Sequence, residues 1–524
     1  MNALLATLPI LVTLGLLAAK VRALYAALTA LATAAALTAT VFRTPAPALA
    51  DAQLHMLPTL VELAGILFGG ILLSELMSRT GAQARLGERL GGACHSPVRS
   101  VLLIVFGVTP FAESLTGFGI GVVVAIPLLR QLGLAPAKAA VAGLLGLVTV
   151  PWGSLAPGSL VSANLGGVDF QDLGVVSALL SAPVFLICGA AALTVSFGVR
   201  RAVASAGELL LATGTLWVTV WAVNTFIGVP LAGVLGGLAT LAVLLLSSRR
   251  RPRPDADAPR PQPVGRALAP YVFLVAGLLL GRAALTAAGV EEGWWTVIAG
   301  PAGWLLLTTA VAPRLLGAPR TVLPAAVRTA TSRWWQVTLT TAIFLILGTL
   351  LTVTGMSREM AEACASLGPA YLMLAPWIGA AGGFLAGSNT GANAMFAASQ
   401  GATAHVLGYP ALQLVGVQNV SAALASGGSV ARVVLAAELA TNAPGPQGTA
   451  ATETAAASAT QRRGPAAGTT TAVREVTERT TAPPSGATAV PDAAPVDTGR
   501  VLRTVLGAHA VVFLVLGLIA LSWR

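Results

Sequence analysis

Charged side chains are scarce: they make up 10% of the 524 residues, against roughly 25% in a soluble domain, and mean hydropathy is +0.80. Water is therefore not the main solvent of this chain. Cysteine is equally rare. Cys94, Cys188 and Cys364 lie far apart with no CxxC or Cys/His spacing, which excludes a disulfide framework and a zinc site. The four histidines, His55, His95, His405 and His509, form no metal pair, and no nucleophile–base constellation is present, so neither an enzyme nor a resident metal or cofactor is expected. Acidic residues are the minority charge, 20 against 31 Lys and Arg, for a formal +11. The excess sits in short clusters between apolar runs, with no nucleic-acid motif beside it. That argues against a nucleic-acid partner and fits loops that orient a membrane protein and meet anionic lipid. A basic n-region is missing before the first apolar run, Leu4 to Ala19, which reads as a span and not as a cleaved signal.

What is present is apolar length. Runs of about 20 residues cross a hydrocarbon core of roughly 30 Å, and they predict spans at 2–19, 23–42, 56–77, 138–163, 173–197, 207–223, 226–247, 268–289, 294–312, 335–355, 408–432 and 501–522. Two further stretches, 100–130 and 368–400, have polar, glycine-rich centres and read as hairpins that enter the membrane and return by the same side. Placing the N-terminus outside sorts Lys20, Arg22, Arg79, Arg85, Arg89, Arg99, Arg130, Lys138, Arg200 and Arg201 to the cytoplasmic face. Arg249, Arg250, Arg251, Arg253, Arg314, Arg320, Arg328, Arg333 and Arg432 follow them. The opposite face receives Asp51, Asp169, Asp172, Glu291 and Glu292. The expectation is an all-α polytopic membrane protein of about 12 transmembrane helices, an inverted repeat with two re-entrant hairpins, multi-pass in the cell inner membrane.

The divisions follow. Residues 1–247 form a first transporter half, 248–266 a Pro/Arg cytoplasmic linker, and 267–440 a second half. Residues 441–498, rich in Ala, Thr, Pro and Gly without period, read as a disordered cytoplasmic loop, and 499–524 as a last transmembrane helix. The sequence leaves the oligomeric state open.

The polar centres carry the chemistry. Pro110 to Gly121 (PFAESLTGFGIG) and Gly387 to Asn393 (GSNTGAN) break helix where a span would run. They are faced by two broken spans: Thr149 to Ser159 (TVPWGSLAPGS), and Gln418-Asn419-Val420-Ser421 followed by Ser426-Gly427-Gly428-Ser429. Helix stubs starting at such breaks present free N–H groups and a positive dipole end, which suits a carboxylate without any buried cation. Thr116, Gly117, Gly119, Ser154, Ser388, Asn389, Thr390, Asn393, Gln418 and Asn419 are the candidate substrate ligands. Gly143 and Gly146 read instead as helix packing. Ionisable groups at membrane depth cost roughly 2.5–3.5 kcal/mol on insertion scales, and Glu62, Glu75, Glu113, Arg282 and Glu438 are the few. Glu62 and Arg282 are candidates to pair. Glu113 adjoins the broken turn, as a proton-coupling group or as a structural acceptor; proton coupling is the reading adopted.

At these residues the chain resembles the lactate permease family. The likeness lies in Glu113 to Gly119 (ESLTGFG), Val124 to Leu129 (VAIPLL), Val150 to Ser154 (VPWGS), Gly387 to Thr390 (GSNT) with Asn393 to Phe396 (NAMF), and Val417 to Val420 (VQNV). The resemblance implies a secondary carrier of lactate or related 2-hydroxy acids such as glycolate, by proton symport with alternating access, so that a small carboxylate and a proton are the partners. Backbone carbonyls at such turns also suit sodium, so a sodium-coupled carrier of a different organic anion is the alternative.

Overall fold

A computed structural model of the chain describes residues 2–83, 85, 96–117, 119–248, 265–290, 294–319, 321–443, 445 and 495–523. Nearly all of the 248–266 linker and of the 441–498 segment lies outside the described residues, as do Arg89, Cys94, His95, Glu291, Glu292 and Arg320. Among the described residues the regular elements are helices. Eleven are long and apolar enough to cross a membrane, or twelve if the bent pair Pro136–Leu145 and Leu147–Leu155 is one span. The chain is an all-α, multi-pass membrane protein. Hydroxyls inside these apolar helices turn back on their own backbone, as Thr29, Thr33 and Thr38 do onto carbonyls four residues earlier, at 2.8 Å each. These three hydroxyls are thereby satisfied within their own helix.

The order begins with α1 (Asn2–Ala18), α2 (Ala23–Thr40), α3 (Ala46–His55) and α4 (Leu57–Arg79). Helix α5 (Pro97–Thr116) contains a π-turn at Ile104–Val108, where Thr109 Oγ1 donates to Ile104 O at 2.8 Å. It ends at Gly117, φ +67°, and α6 (Ile120–Gln131) starts after Gly119, φ +80°. The two fold back on each other so closely that a Cβ on Gly121 would stand 2.9 Å from Thr109 O. Helix α7 (Pro136–Leu145) bends by 54° into the 3-10 segment Leu147–Leu155, and α8 (Pro157–Gly166) follows. Gly143 and Gly146 let α7 pack against Ile126 of α6 and the Val105 carbonyl of α5.

Helices α9 (Phe170–Phe197), α10 (Ala206–Phe226), α11 (Ala232–Ser248), α12 (Gly265–Ala288), α13 (Pro301–Leu315), α14 (Val322–Val353) and α15 (Met356–Ala365) lead to a second helix–break–helix unit. It consists of α16 (Ala370–Ala386) and α17 (Asn389–Leu407), joined at Gly387, φ +62°. Helices α18 (Ala411–Gly427), α19 (Val430–Asn442) and α20 (Thr498–Leu521) come last in order. One expectation is corrected here. Helix α18 runs unbroken through Gln418 and Asn419, and the break falls later, at Gly428 and Ser429. The amide side chains find partners on other helices and leave their own backbone alone, whereas paired glycines weaken helix most.

Small residues set the spacing. A Cβ on Gly383 of α16 would stand 2.9 Å from Ala422 Cα of α18 and nearer still to its carbonyl oxygen. Gly383→Ala is expected to push these helices apart at a cost of about 1–3 kcal/mol, read as a lower melting temperature in detergent. An unchanged melting curve would show that this approach does not limit stability.

Candidate functional site

Both helix–break–helix tips and the break before α8 meet at one cavity of ≈ 510 Å³. Gly117 lines it from the first tip, Gly153, Ser154, Pro157 and Gly158 from the broken span, and Gly387, Ser388, Asn389 and Thr390 from the second tip. Glu113 and Arg432 line it too, as do Arg22, Trp335 and Gln336.

Local chemistry builds each tip. Glu113, 1% exposed, reaches across the glycine break, its Oε1 accepting from Gly119 N at 3.2 Å and its Oε2 from Gly121 N at 3.1 Å. Both carboxylate oxygens thus cover the otherwise orphaned amides at the start of α6. Ser154 Oγ donates to Thr116 O at 2.8 Å and ties the broken span to the tip, while the Thr116 hydroxyl turns back to Ala112 O at 2.7 Å. At the second tip Ser388 caps α17, accepting from Gly391 N at 3.3 Å.

Ser154, Leu155 and Ala156 hold φ of +52°, +64° and +71° in succession. Residues with a Cβ avoid this left-handed region by roughly 1–2 kcal/mol each. Such a turn persists only where its surroundings over-determine it. Here Ser154 is bonded to the first tip, Ala156 N donates to Gly153 O at 3.0 Å, and Leu155 and Ala156 are buried. The same turn divides two cavities. Ser154 faces the one just described, and Leu155 and Ala156 face another of ≈ 1010 Å³. The larger cavity is walled in part by Thr59 and Glu62 of α4, Asn164 of α8, Gln171 of α9 and Arg282 of α12. Glu62 and Arg282 share that cavity, yet Arg282 Nη1 donates to Gln171 Oε1 at 3.3 Å, and the described ion pairs do not join it to Glu62. Glu75 takes two arginines, Arg79 Nε at 2.7 Å and Arg333 Nη1 at 3.3 Å.

Behind the second tip runs a buried amide network. Asn389 Nδ2 and Asn393 Nδ2 both donate to Asn419 Oδ1, at 3.0 and 2.9 Å, and Asn393 Nδ2 also reaches Gly158 O at 3.0 Å. Asn419 Nδ2 donates in turn to Ser159 Oγ at 2.9 Å and Ser177 Oγ at 3.1 Å. Gln418 joins through Asn393 and Gln400, and the Tyr371 hydroxyl closes on Gln400 Oε1 at 2.8 Å.

The residues singled out in the sequence therefore divide. Glu113, Gly117, Ser154, Ser388, Asn389 and Thr390 line the cavity. Thr116 and Gly119 stand behind its wall, giving a carbonyl to Ser154 and an amide to Glu113. Asn393, Gln418 and Asn419 belong to the supporting network.

Arg432 is the site residue that sequence reasoning misses: sorted only as a topology-setting arginine, it stands in the first turn of α19 with its side chain 14% exposed and Nη2 3.9 Å from Glu113 Oε1. The sequence led to an anion site built from helix N-termini alone, and the structure adds an arginine to the cavity wall. A signal existed, since an apolar run continues from Val433 to Ala437 and sets Arg432 one turn past the Gly-Gly-Ser break.

A profile of the L-lactate permease family matches residues 2–293 and 290–449. The L-lactate permease of Escherichia coli K12 is 24% identical over 479 residues, covering 79% of this chain and 86% of that protein. That of Streptococcus iniae is 22% identical over 325 residues, covering 56% of this chain and 68% of that protein. The matched stretches include both tips, the Ser154 turn and Arg432, and the chain belongs to the L-lactate permease family.

Proposed function

We propose that this chain carries lactate and related 2-hydroxy monocarboxylates such as glycolate across the plasma membrane, by proton symport with alternating access. The observation that carries this reading is the meeting of both tips and the strained Ser154 turn at one cavity that holds a buried carboxylate and an arginine. The N-termini of α8, α17 and α19 end at the same cavity, and positive dipole ends favour an anion. Apolar walls from Leu67, Val150 and Phe344 alternate with the hydroxyls of Ser154, Ser388 and Thr390, a lining suited to a small acid bearing one hydroxyl.

A simple carboxylic acid, with a pKa near the ~4 of Asp, is almost wholly ionised at neutral pH and crosses hydrocarbon slowly. In this reading the substrate contacts Ser154, Ser388, Asn389 and Thr390, and Glu113 takes the proton. The two hairpins enter from opposite faces as arms of an inverted repeat whose halves are 1–247 and 267–440, and the Ser154–Ala156 turn is the partition between two access routes. One proton per monoanion makes the cycle electroneutral, so a pH difference drives uptake by about 1.4 kcal/mol per unit.

Reconstitution into liposomes tests this. Saturable uptake of L-lactate or glycolate, driven by a proton gradient and accompanied by exchange, is expected. Flux that neither saturates nor exchanges would mean a channel, and a requirement for sodium in place of a pH gradient would overturn proton symport. In the same assay Asn389→Ala should raise the half-saturation concentration about tenfold, having lost a polar anchor worth roughly 1–3 kcal/mol. A well-inserted variant of unchanged affinity would remove Asn389 from the site.

A further inference from the structure

Arg432 has bonding capacity that its surroundings leave unused. Its Nη1 is buried without a hydrogen-bond partner, and its Nη2 lies 3.9 Å from Glu113 Oε1, beyond hydrogen-bond length. Glu113 commits both oxygens to the amides of Gly119 and Gly121, so it balances the charge of Arg432 without occupying its N–H groups. One turn upstream, Ser429 stands at the N-cap position of α19, 2% exposed, yet its hydroxyl neither caps the helix nor finds any partner. Ser429 lies against the second tip, its Oγ 3.5 Å from where a Cβ on Gly387 would stand. Among the described residues two unpartnered buried donors, Arg432 Nη1 and Ser429 Oγ, thus flank the tip at a helix N-terminus, and a buried donor left unpaired is costly. The other cation lining the cavity, Arg22, is exposed to solvent.

We infer that Arg432 is the anchor for the substrate carboxylate, with the Ser429 hydroxyl beside it, and that Glu113 is its counter-charge while the site is empty. This rests on the transport reading above and adds the group that recognises the anion and a cause for coupling to one proton. In the empty site Arg432 and Glu113 sum to zero. A carboxylate on Arg432 brings the sum to −1, which a dry cavity resists. One proton from the solution facing the cavity, taken onto a Glu113 oxygen, restores zero, and the other oxygen still accepts from an amide. No other bond changes, and release reverses both steps. The planar guanidinium fork matches a carboxylate in a way that an ammonium does not.

Calorimetric binding of L-lactate and of its uncharged amide to the full-length protein in detergent decides the matter. Arg432→Gln should weaken lactate binding roughly 30-fold or more, and selectivity for lactate over the amide should collapse toward unity. Arg432→Lys should recover only part of the loss. The deciding variant is the double change Glu113→Gln with Arg432→Gln, which leaves no buried charge unpaired and can be read even if Arg432→Gln alone folds poorly. Lactate binding is expected to stay lost in it, because the anchor is gone. Recovery to near wild-type affinity would mean that the pair is only structural, and would overturn the proposal. Wild-type affinity in a folded Arg432→Gln protein would overturn it as well. Binding by all variants alike removes Arg432 alone, whereas failure of the unaltered protein to bind any monocarboxylate removes the transport reading and this inference together.

Discussion

Glu113→Gln is expected to abolish lactate accumulation driven by a pH gradient while leaving exchange of labelled for unlabelled lactate close to the wild-type rate in the same liposomes. Glutamine has the charge of the proton-loaded side chain, so a lactate anion on Arg432 already brings the site to neutrality. Exchange requires only that this loaded form reorient. Net accumulation also requires the empty form to return, and in the variant that form carries Arg432 uncompensated, at a cost of roughly 2.5–3.5 kcal/mol or more at membrane depth. With lactate bound to Arg432 the fold should tolerate the change. One side-chain oxygen remains for Gly119 N or Gly121 N, and the lost bond is worth about 1 kcal/mol. Arg432 is the charged partner facing Glu113 among the described ion pairs, so the wild-type protein should accelerate uptake as the outer solution is acidified and the variant should not. If exchange and gradient-driven uptake fall or survive together, Glu113 is a structural cap of α6 and the coupling proton lies elsewhere.

Asn419→Leu should cost most in stability. The asparagine accepts from Asn389 and Asn393 and donates to Ser159 and Ser177, so an apolar side chain of similar size removes four buried hydrogen bonds, although Asn393 keeps Gly158 O and Ser159 keeps Pro151 O. Each unmet group costs about 1–3 kcal/mol in a protein interior, but bonds between membrane helices average nearer 0.6 kcal/mol because the partners re-pair. A total of about 2–4 kcal/mol is expected on those figures, seen as a melting temperature lowered by several degrees. Transport should fall with it, since Asn389 then loses the group that holds it at the cavity wall. Asn419→Asp keeps the oxygen that accepts from Asn389 and Asn393, and the Ser177 hydroxyl can turn to donate to the new second oxygen, so it should lose less. A leucine variant that melts and transports like wild type would show that the network does not hold the second tip to α8.

The spans could be read in advance because a helix in lipid must satisfy its own backbone and so leaves a long apolar run. The tips could be read because Gly117, Gly119, Gly387 and Pro157 cannot continue a helix without loss. Other features leave no local trace. Asn419 suggested a break because its partner Ser159 is 260 residues away, and nothing near Asn419 in the chain reveals that its amide is satisfied inside a continuous helix. Arg432 carries the same letter as an arginine in a cytoplasmic loop. What sets it apart is its place beside Glu113, and that depends on where the chain resumes helix after Ser429.

The left-handed turn at Ser154–Ala156 also has an electrical consequence. In the proposed transport reading the cavities on either side open to opposite solutions, so a voltage that elsewhere falls over roughly 30 Å of hydrocarbon would fall here over little more than one loop of backbone. An uncompensated charge passing this point meets almost the whole membrane voltage, about 2.3 kcal/mol per 100 mV. A carboxylate and its proton crossing together, as proposed, would meet none of it, which makes this turn the place where electroneutral pairing would matter most.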